Sequence, residues 1–334
     1  MPELSELGDH GVDGEPDLFR SPGFGGSDPL AGGDPLFAAE DTFGISARSL
    51  EELAGPKRKS MFTGMGFGFW VAVGICVAWI LVAIFASVLP LANPNKIDFN
   101  CLITYGKFTS AHPLGCDNDG RDILSRVIYG SRVSLIIGFA SIAISQVVGG
   151  ILGILAGYFR GLLDEILGII SNTFLSFPYL VLALVIVTFL GRSELDIILV
   201  IATLAWPLLY RVVRAATIEY AQREYVLAAQ ALGSKPSRIL RTLLLPDVIP
   251  ASITYGLVGV ALAIVAEGAL SFLGQSVPIP TATWGNMIAA GSQVMQQDKP
   301  LLIVPAIAMF SFILPINYIG DRLRGVLDTR QGVL

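Results

Sequence analysis

The chain alternates long apolar runs with short polar ones. Runs long enough to cross a bilayer, at about 20 residues each, occupy approximately 66–90, 133–158, 165–190, 195–213, 250–274 and 301–320. The pattern predicts an all-α membrane protein with about six transmembrane helices. Pro178, Pro207, Pro305 and Pro315 fall within these runs, where each removes a backbone donor and can kink its helix. The second run reads GGILGILAGYF and sets Gly149, Gly153 and Gly157 four residues apart on one helix face. Such a stripe lets another backbone approach closely, although glycine is also simply frequent in membrane helices.

One polar interruption differs from the rest. The stretch REYVLAAQALGSKPSRILRTLLLP, Arg223 to Pro246, carries five charged residues between two apolar runs. Good helix formers dominate from Glu224 to Leu232, and Gly233 supplies the left-handed residue that ends a helix. Ser234 is a fitting N-cap, Pro236 is tolerated in a first turn, and Pro246 cannot continue a helix interior. The prediction is helix, turn, helix. Ala228, Ala229 and Gly233 offer a small-residue surface, with Arg238 and Arg241 on one face. Two readings stay open on physics alone: a docking surface for a partner, or an amphipathic pair lying on anionic lipid.

Composition makes the membrane reading firm. Of 334 residues, 53% are hydrophobic and 15% charged, with a mean hydropathy of +0.66, against about 25% charged residues in soluble domains. The net charge of -5 is unevenly spread, because residues 1–60 hold 12 acidic and 5 basic side chains. That segment, with its near-repeat GGSDPLAGGDPLF, predicts a disordered acidic tail. It lacks the basic start and apolar run of a secretory signal. Lys57, Arg58 and Lys59 before the first apolar run place it in the cytoplasm. The layout then puts loops 91–131 and 275–300 outside and 214–249 inside. The domains are a 1–60 tail, a 61–131 first span with its external loop, and a 132–334 membrane core with the cytoplasmic loop 214–249.

The polar stretch resembles the EAA loop of binding-protein-dependent ABC importer permeases, with Ala228, Ala229, Gly233, Leu243, Leu245 and Pro246 at the motif spacings. Leu227 stands where that pattern often has Glu. HPLGCDNDGRDILSRVIYGSRVSL from His112, AEGALSFLG from Ala266, TWGNMI from Thr283 and GDRLRGVLDTR from Gly320 resemble the second permease of dipeptide, oligopeptide and nickel importers. The resemblance spans about residues 110–330 and leaves the tail aside. It implies a type I ABC importer permease fold in a prokaryotic inner or plasma membrane, multi-pass, with both termini cytoplasmic. It also implies a sister permease, two ATP-binding subunits carrying ATP and Mg, and an extracytoplasmic substrate-binding protein. Glu224, Leu227, Ala228, Ala229, Gly233, Ser234, Lys235 and Pro246 would then couple ATPase motion to the spans.

The function this implies is translocation of di- or oligopeptides by alternating access, with nickel or another small solute as the alternative within the family. An ion-coupled secondary transporter is the alternative of another class, but such proteins often show two related halves, and no internal repeat is visible. The chain carries no G-x-x-x-x-G-K-[ST] loop. It is therefore read as a non-enzymatic subunit that binds no cofactor, no metal and no nucleic acid, His10 and His112 making a poor ligand pair.

Glu267 lies in an apolar run, where a carboxylate must face a partner or water. It is a candidate for the translocation path, or a structural hydrogen bond to a neighbouring helix. Cys101 and Cys116 share the loop assigned outside, where disulfides persist, and either bond across about 15 residues or stay as thiols. Trp284 is expected to anchor at the lipid interface.

Overall fold

The structure is a computed structural model and describes residues 65–103, 109–110 and 112–331. The acidic tail 1–60 and its basic end lie outside the described residues. Among those described, every named element is helical. Helix α1 is Phe67–Phe85, α2 Phe99–Ile103, α3 Ile123–Phe159, α4 Gly161–Ser176, α5 Tyr179–Leu190 and α6 Glu194–Tyr220. Then come α7 (Glu224–Ala231), α8 (Pro236–Ile239), a π-turn (Leu240–Leu244), α9 (Leu245–Phe272), α10 (Trp284–Gln293) and α11 (Lys299–Gln331).

Among the described residues, five helices are long and apolar enough to cross a membrane, or six if α4 and α5 count together as one bent span. The run 165–190 is thus not one helix: α4 and α5 meet at 98°. Pro178 explains the break. It cannot donate to the helix, and its ring pushes Phe177 to an extended φ of -87° and ψ of 143°. The run 133–158 starts earlier than its apolar boundary, because Asp122 accepts from the Ser125 N–H at 2.7 Å and caps α3 there.

Helix α3 packs most extensively against α6. The glycine stripe is why the two can meet. A Cβ at Gly149 would lie 2.8 Å from the Trp206 carbonyl, at Gly153 2.8 Å from the Tyr210 carbonyl, and at Gly157 2.7 Å from the Thr217 Cβ. No side chain fits such gaps. Where side chains return, Ser145 Oγ bonds the Ala202 carbonyl at 2.9 Å between the same two helices.

Two sequence expectations about the polar stretch are corrected. Ser234 is not an N-cap; Lys235 holds that place, with Pro236 following. Pro246 does not end a helix either, since Pro236–Phe272 runs through as one 37-residue apolar unit. The π-turn makes this compatible. The Leu245 N–H reaches back five residues to the Leu240 carbonyl, so the backbone is already re-registered where proline would otherwise break an ordinary turn.

Candidate functional site

The helix α7 stands at one end of α9, and the loop leading to α10 stands at the other. At the α7 end, the break after Ala231 has a complete hydrogen-bonded stop. Ser234 N–H donates to the Ala229 carbonyl at 3.0 Å and Gly233 N–H to the Gln230 carbonyl at 2.9 Å, the pair of bonds that closes a Schellman turn. Gly233 has φ +76°, a conformation that strains any residue with a Cβ. Its Cβ direction meets nothing within 4 Å.

Beneath this turn a small core forms from Val226, Ile239 and Leu244, with Tyr158, Tyr220 and Ala229 packed around it. Tyr225 O–H donates to Asp247 Oδ2 at 2.6 Å and ties α7 to the start of α9. Burial, then that bond, push the Tyr225 phenol above its usual range. Asp164 of α4 pairs with Arg214 of α6 nearby. Outward, Leu232 is 87% exposed and Leu227 51%. Glu224, Ala228, Gly233, Lys235 and Pro246 are exposed too, while Ala229 and Ser234 are half-buried. A well-braced, uncovered wedge results, with exposed leucines beside Glu224, Lys235 and Arg238.

The α10 end is built the opposite way. Glu267 is 1% exposed, and its Oε1 accepts from Ser276 Oγ at 2.7 Å, Ser271 Oγ at 2.9 Å and Thr283 Oγ1 at 2.9 Å. Thr283 is the N-cap of α10, paired with Asn286 in a capping box. Gly285 lies against Oε2 so closely that a Cβ there would sit 2.6 Å away. The carboxylate therefore joins α9 to the loop and to α10.

A separate apolar cavity of about 460 Å³ opens between α3, the α4–α5 bend, α6 and α9, lined in part by Tyr179, Leu204, Tyr255, Ala266 and Ala269. Glu267 does not line it. As a path residue, Glu267 is thus not brought to an open surface; its helix turns it toward α10 instead. Trp284 is corrected as well. Rather than lying at the lipid interface it is fully buried, donating from Nε1 to the Val127 carbonyl at 3.1 Å and packing edge-on to Trp79 at 5.1 Å.

Sequence reasoning missed the role of the HPLGCDNDGRDILSR segment. Its charges form a buried keystone. Asp117 Oδ2 accepts from Arg121 Nε at 2.8 Å and lies 3.3 Å from Arg126 Nε. Arg126 Nη1 also donates to the Pro94 and Pro280 carbonyls at 3.2 and 3.1 Å. Three distant segments meet on one guanidinium. The available signal was the bases and acids packed into a single short loop before a span, too many for a solvated turn alone. In the same loop Cys101 and Cys116 are joined as a disulfide, Cα atoms 6.1 Å apart. His112 sits between Asp122 and Asp98, and the Asn100 N–H, then His112, hold the Asp98 carboxyl below its usual range.

Comparison with known proteins accords with this geometry. Residues 149–333 match the profile of the family described as binding-protein-dependent transport system inner membrane component. A putative peptide permease protein of Brucella ovis is 33% identical over 71% of this chain and 79% of its own. A dipeptide transport system permease protein of Alkalihalophilus pseudofirmus is 33% identical over 78% and 85%. A glutathione transport system permease protein of Pectobacterium atrosepticum is 31% identical over 78% and 86%. Among solved structures, an inward-facing form of the MetNI methionine ABC transporter aligns at TM-score 0.54 and 19% identity, over 61% of this chain and 97% of that one, which bears on the fold alone. The chain belongs to the binding-protein-dependent ABC importer permeases, as a multi-pass inner membrane component.

Proposed function

We infer that this chain is the membrane-spanning permease subunit of an ATP-driven importer of di- or oligopeptides, working by alternating access beside a sister permease. Relatives whose names specify peptide, dipeptide or glutathione permeases support the substrate class. Two ATP-binding subunits dock in the cytoplasm, one of them on the α7 wedge, and an external binding protein delivers substrate at the α10 end. With this reading goes the division into a cytoplasmic tail 1–60, a first span and external loop 61–131, and a core 132–334 whose loop 214–249 receives the ATPase, the second part running into the start of α3 at Ile123. Both termini are cytoplasmic.

The observation that carries the reading is the continuity of Pro236–Phe272. At about 1.5 Å per residue this rod is roughly 55 Å long. A push on the braced turn at Gly233 is delivered to the wall of the apolar cavity, through Ala266 and Ala269, and on to the Glu267 clasp. Because the hydrophobic effect between helices vanishes in lipid, close packing and internal hydrogen bonds must keep such a rod stiff.

The test is reconstitution with the co-purifying partners in vesicles, measuring ATPase rate and uptake together. Peptide-stimulated hydrolysis with peptide accumulation is expected. Uptake driven by an ion gradient without ATP, or nickel accumulation in place of peptide, would overturn the reading.

A further inference from the structure

The loop before α3 gathers a second kind of chemistry. Cys101, His112 and Cys116 are buried, and their sulfur and ring-nitrogen donor atoms all lie within 4.8 Å of one another. Two carboxylates hold the imidazole from opposite sides. Asp122 Oδ1 is 3.0 Å from Nδ1, and Asp98 Oδ2 is 3.4 Å from Nε2. Asp122 cannot turn away easily, because its other oxygen caps α3 through the Ser125 N–H. It fixes the ring as a carboxylate fixes the imidazole of a metal-binding histidine, through the nitrogen not facing the metal.

We propose that the reduced form of this loop binds a divalent cation of the zinc class through Cys101, Cys116 and Nε2 of His112, so that disulfide and metal are alternative closures of the same loop. Two soft thiolates and an imidazole are the donor set that Zn²⁺ prefers. Water takes the fourth tetrahedral position, and Asp98 gives up its contact with Nε2. In the bonded form neither sulfur is a ligand. A thiol reductant supplies two electrons and two protons to the disulfide and is itself oxidised to a disulfide. The two cysteines then release those protons when the cation binds. The Cα separation of 6.1 Å needs little change between closures. Cys116 also faces Asp122 across an isolated backbone bridge, so either closure ties Cys101 to the start of α3. The site lies outside the transport reading and does not rest on it.

The experiment uses the full chain in lipid-containing detergent with Cys76→Ser, which removes the remaining thiol. One sample is kept oxidised and one is reduced with a phosphine that is then removed. Both are titrated with Co²⁺, then with Zn²⁺. The reduced sample should show thiolate-to-cobalt absorption that Zn²⁺ abolishes, and the oxidised sample should show none. Asp122→Asn should weaken binding about 10- to 100-fold, and His112→Ala at least as much. Absence of the thiolate absorption in reduced protein, or unchanged affinity in His112→Ala, would overturn the proposal. Should the variants fold poorly, alkylation of the reduced parent decides: Zn²⁺ must protect Cys101 and Cys116 together, and equal alkylation with and without Zn²⁺ rejects the site.

Discussion

The two ends of α9 solve opposite problems with the same chain. At the α7 end, a core of Val226, Ile239 and Leu244 supports a turn whose outer face is left bare. At the α10 end, buried polar groups find partners inside the protein: Glu267 takes Ser271, Ser276 and Thr283, Arg126 takes Asp117 and the Pro280 carbonyl, and Trp284 takes the Val127 carbonyl. A buried polar network specifies one arrangement because each unmade bond is costly there. A bare wedge of exposed leucines and charges leaves its contact energy to be gained on docking. The difference indicates where the molecule is meant to be gripped and where it is meant to hold its own geometry.

Breaking the clasp should give the largest effect. Glu267→Ala strands three hydroxyls, each worth about 1 kcal/mol, and should lower stability by about 3 kcal/mol. Glu267→Gln keeps an acceptor for them and should lose about 1 kcal/mol. Thermal unfolding in detergent, with uptake at matched expression, measures both. Wild-type stability in Glu267→Ala would mean the α10 end is not held by this carboxylate.

Next comes the glycine seam between α3 and α6. Gly153→Val places a branched Cβ 2.8 Å from the Tyr210 carbonyl, an overpacking that costs about 1–3 kcal/mol. Gly150→Ala is the matched control, since its Cβ direction is open. Equal melting temperatures for the two variants would remove the glycine seam from the account.

The turn itself should respond in function more than in stability. Gly233→Val strains a residue at φ +76°, for about 1–2 kcal/mol. It should weaken ATPase association or waste hydrolysis, while the spans still insert. Gly233→Asn, which tolerates the left-handed conformation, separates backbone strain from added bulk. Leu227→Glu should be tolerated, because it restores the Glu that the EAA pattern often has at that position. Normal coupling of hydrolysis to uptake in Gly233→Val would return the wedge to being a membrane-surface helix pair.

Much of this was legible in residues that act locally. Gly233 announces its own turn, and Gly149, Gly153 and Gly157 announce a face by spacing. What stayed hidden depended on partners far along the chain. Glu267 is satisfied by Ser276 and Thr283, which no periodicity connects to it. Trp284 was expected at the lipid interface, yet it is buried against Trp79 and bonded to the Val127 carbonyl. Pro178 marked a perturbation within one apolar run, and the structure turns it into a 98° bend between α4 and α5. Pro246 misled for a local reason of another kind: a π-turn absorbed it, and π-turns have no sequence signature of their own.

The smallest effect should come from the single polar tie beneath the wedge. Tyr225 is 43% exposed, so water competes for its bond to Asp247, and Tyr225→Phe should cost at most about 1 kcal/mol. The phenol's pKa is raised in the folded state, which means folding favours the neutral donor. Its contribution is full below the unfolded value of about 10 and declines as pH climbs past that toward the folded value. The wild-type and Phe proteins should therefore differ slightly at neutral pH and converge in strong alkali, with the apolar core of Val226, Ile239 and Leu244 holding α7 in both. ATPase association and uptake should stay near wild type in Tyr225→Phe. A loss there as large as in Glu267→Ala would show that the α7 end, too, depends on a polar clasp, and the contrast between the two ends would fail.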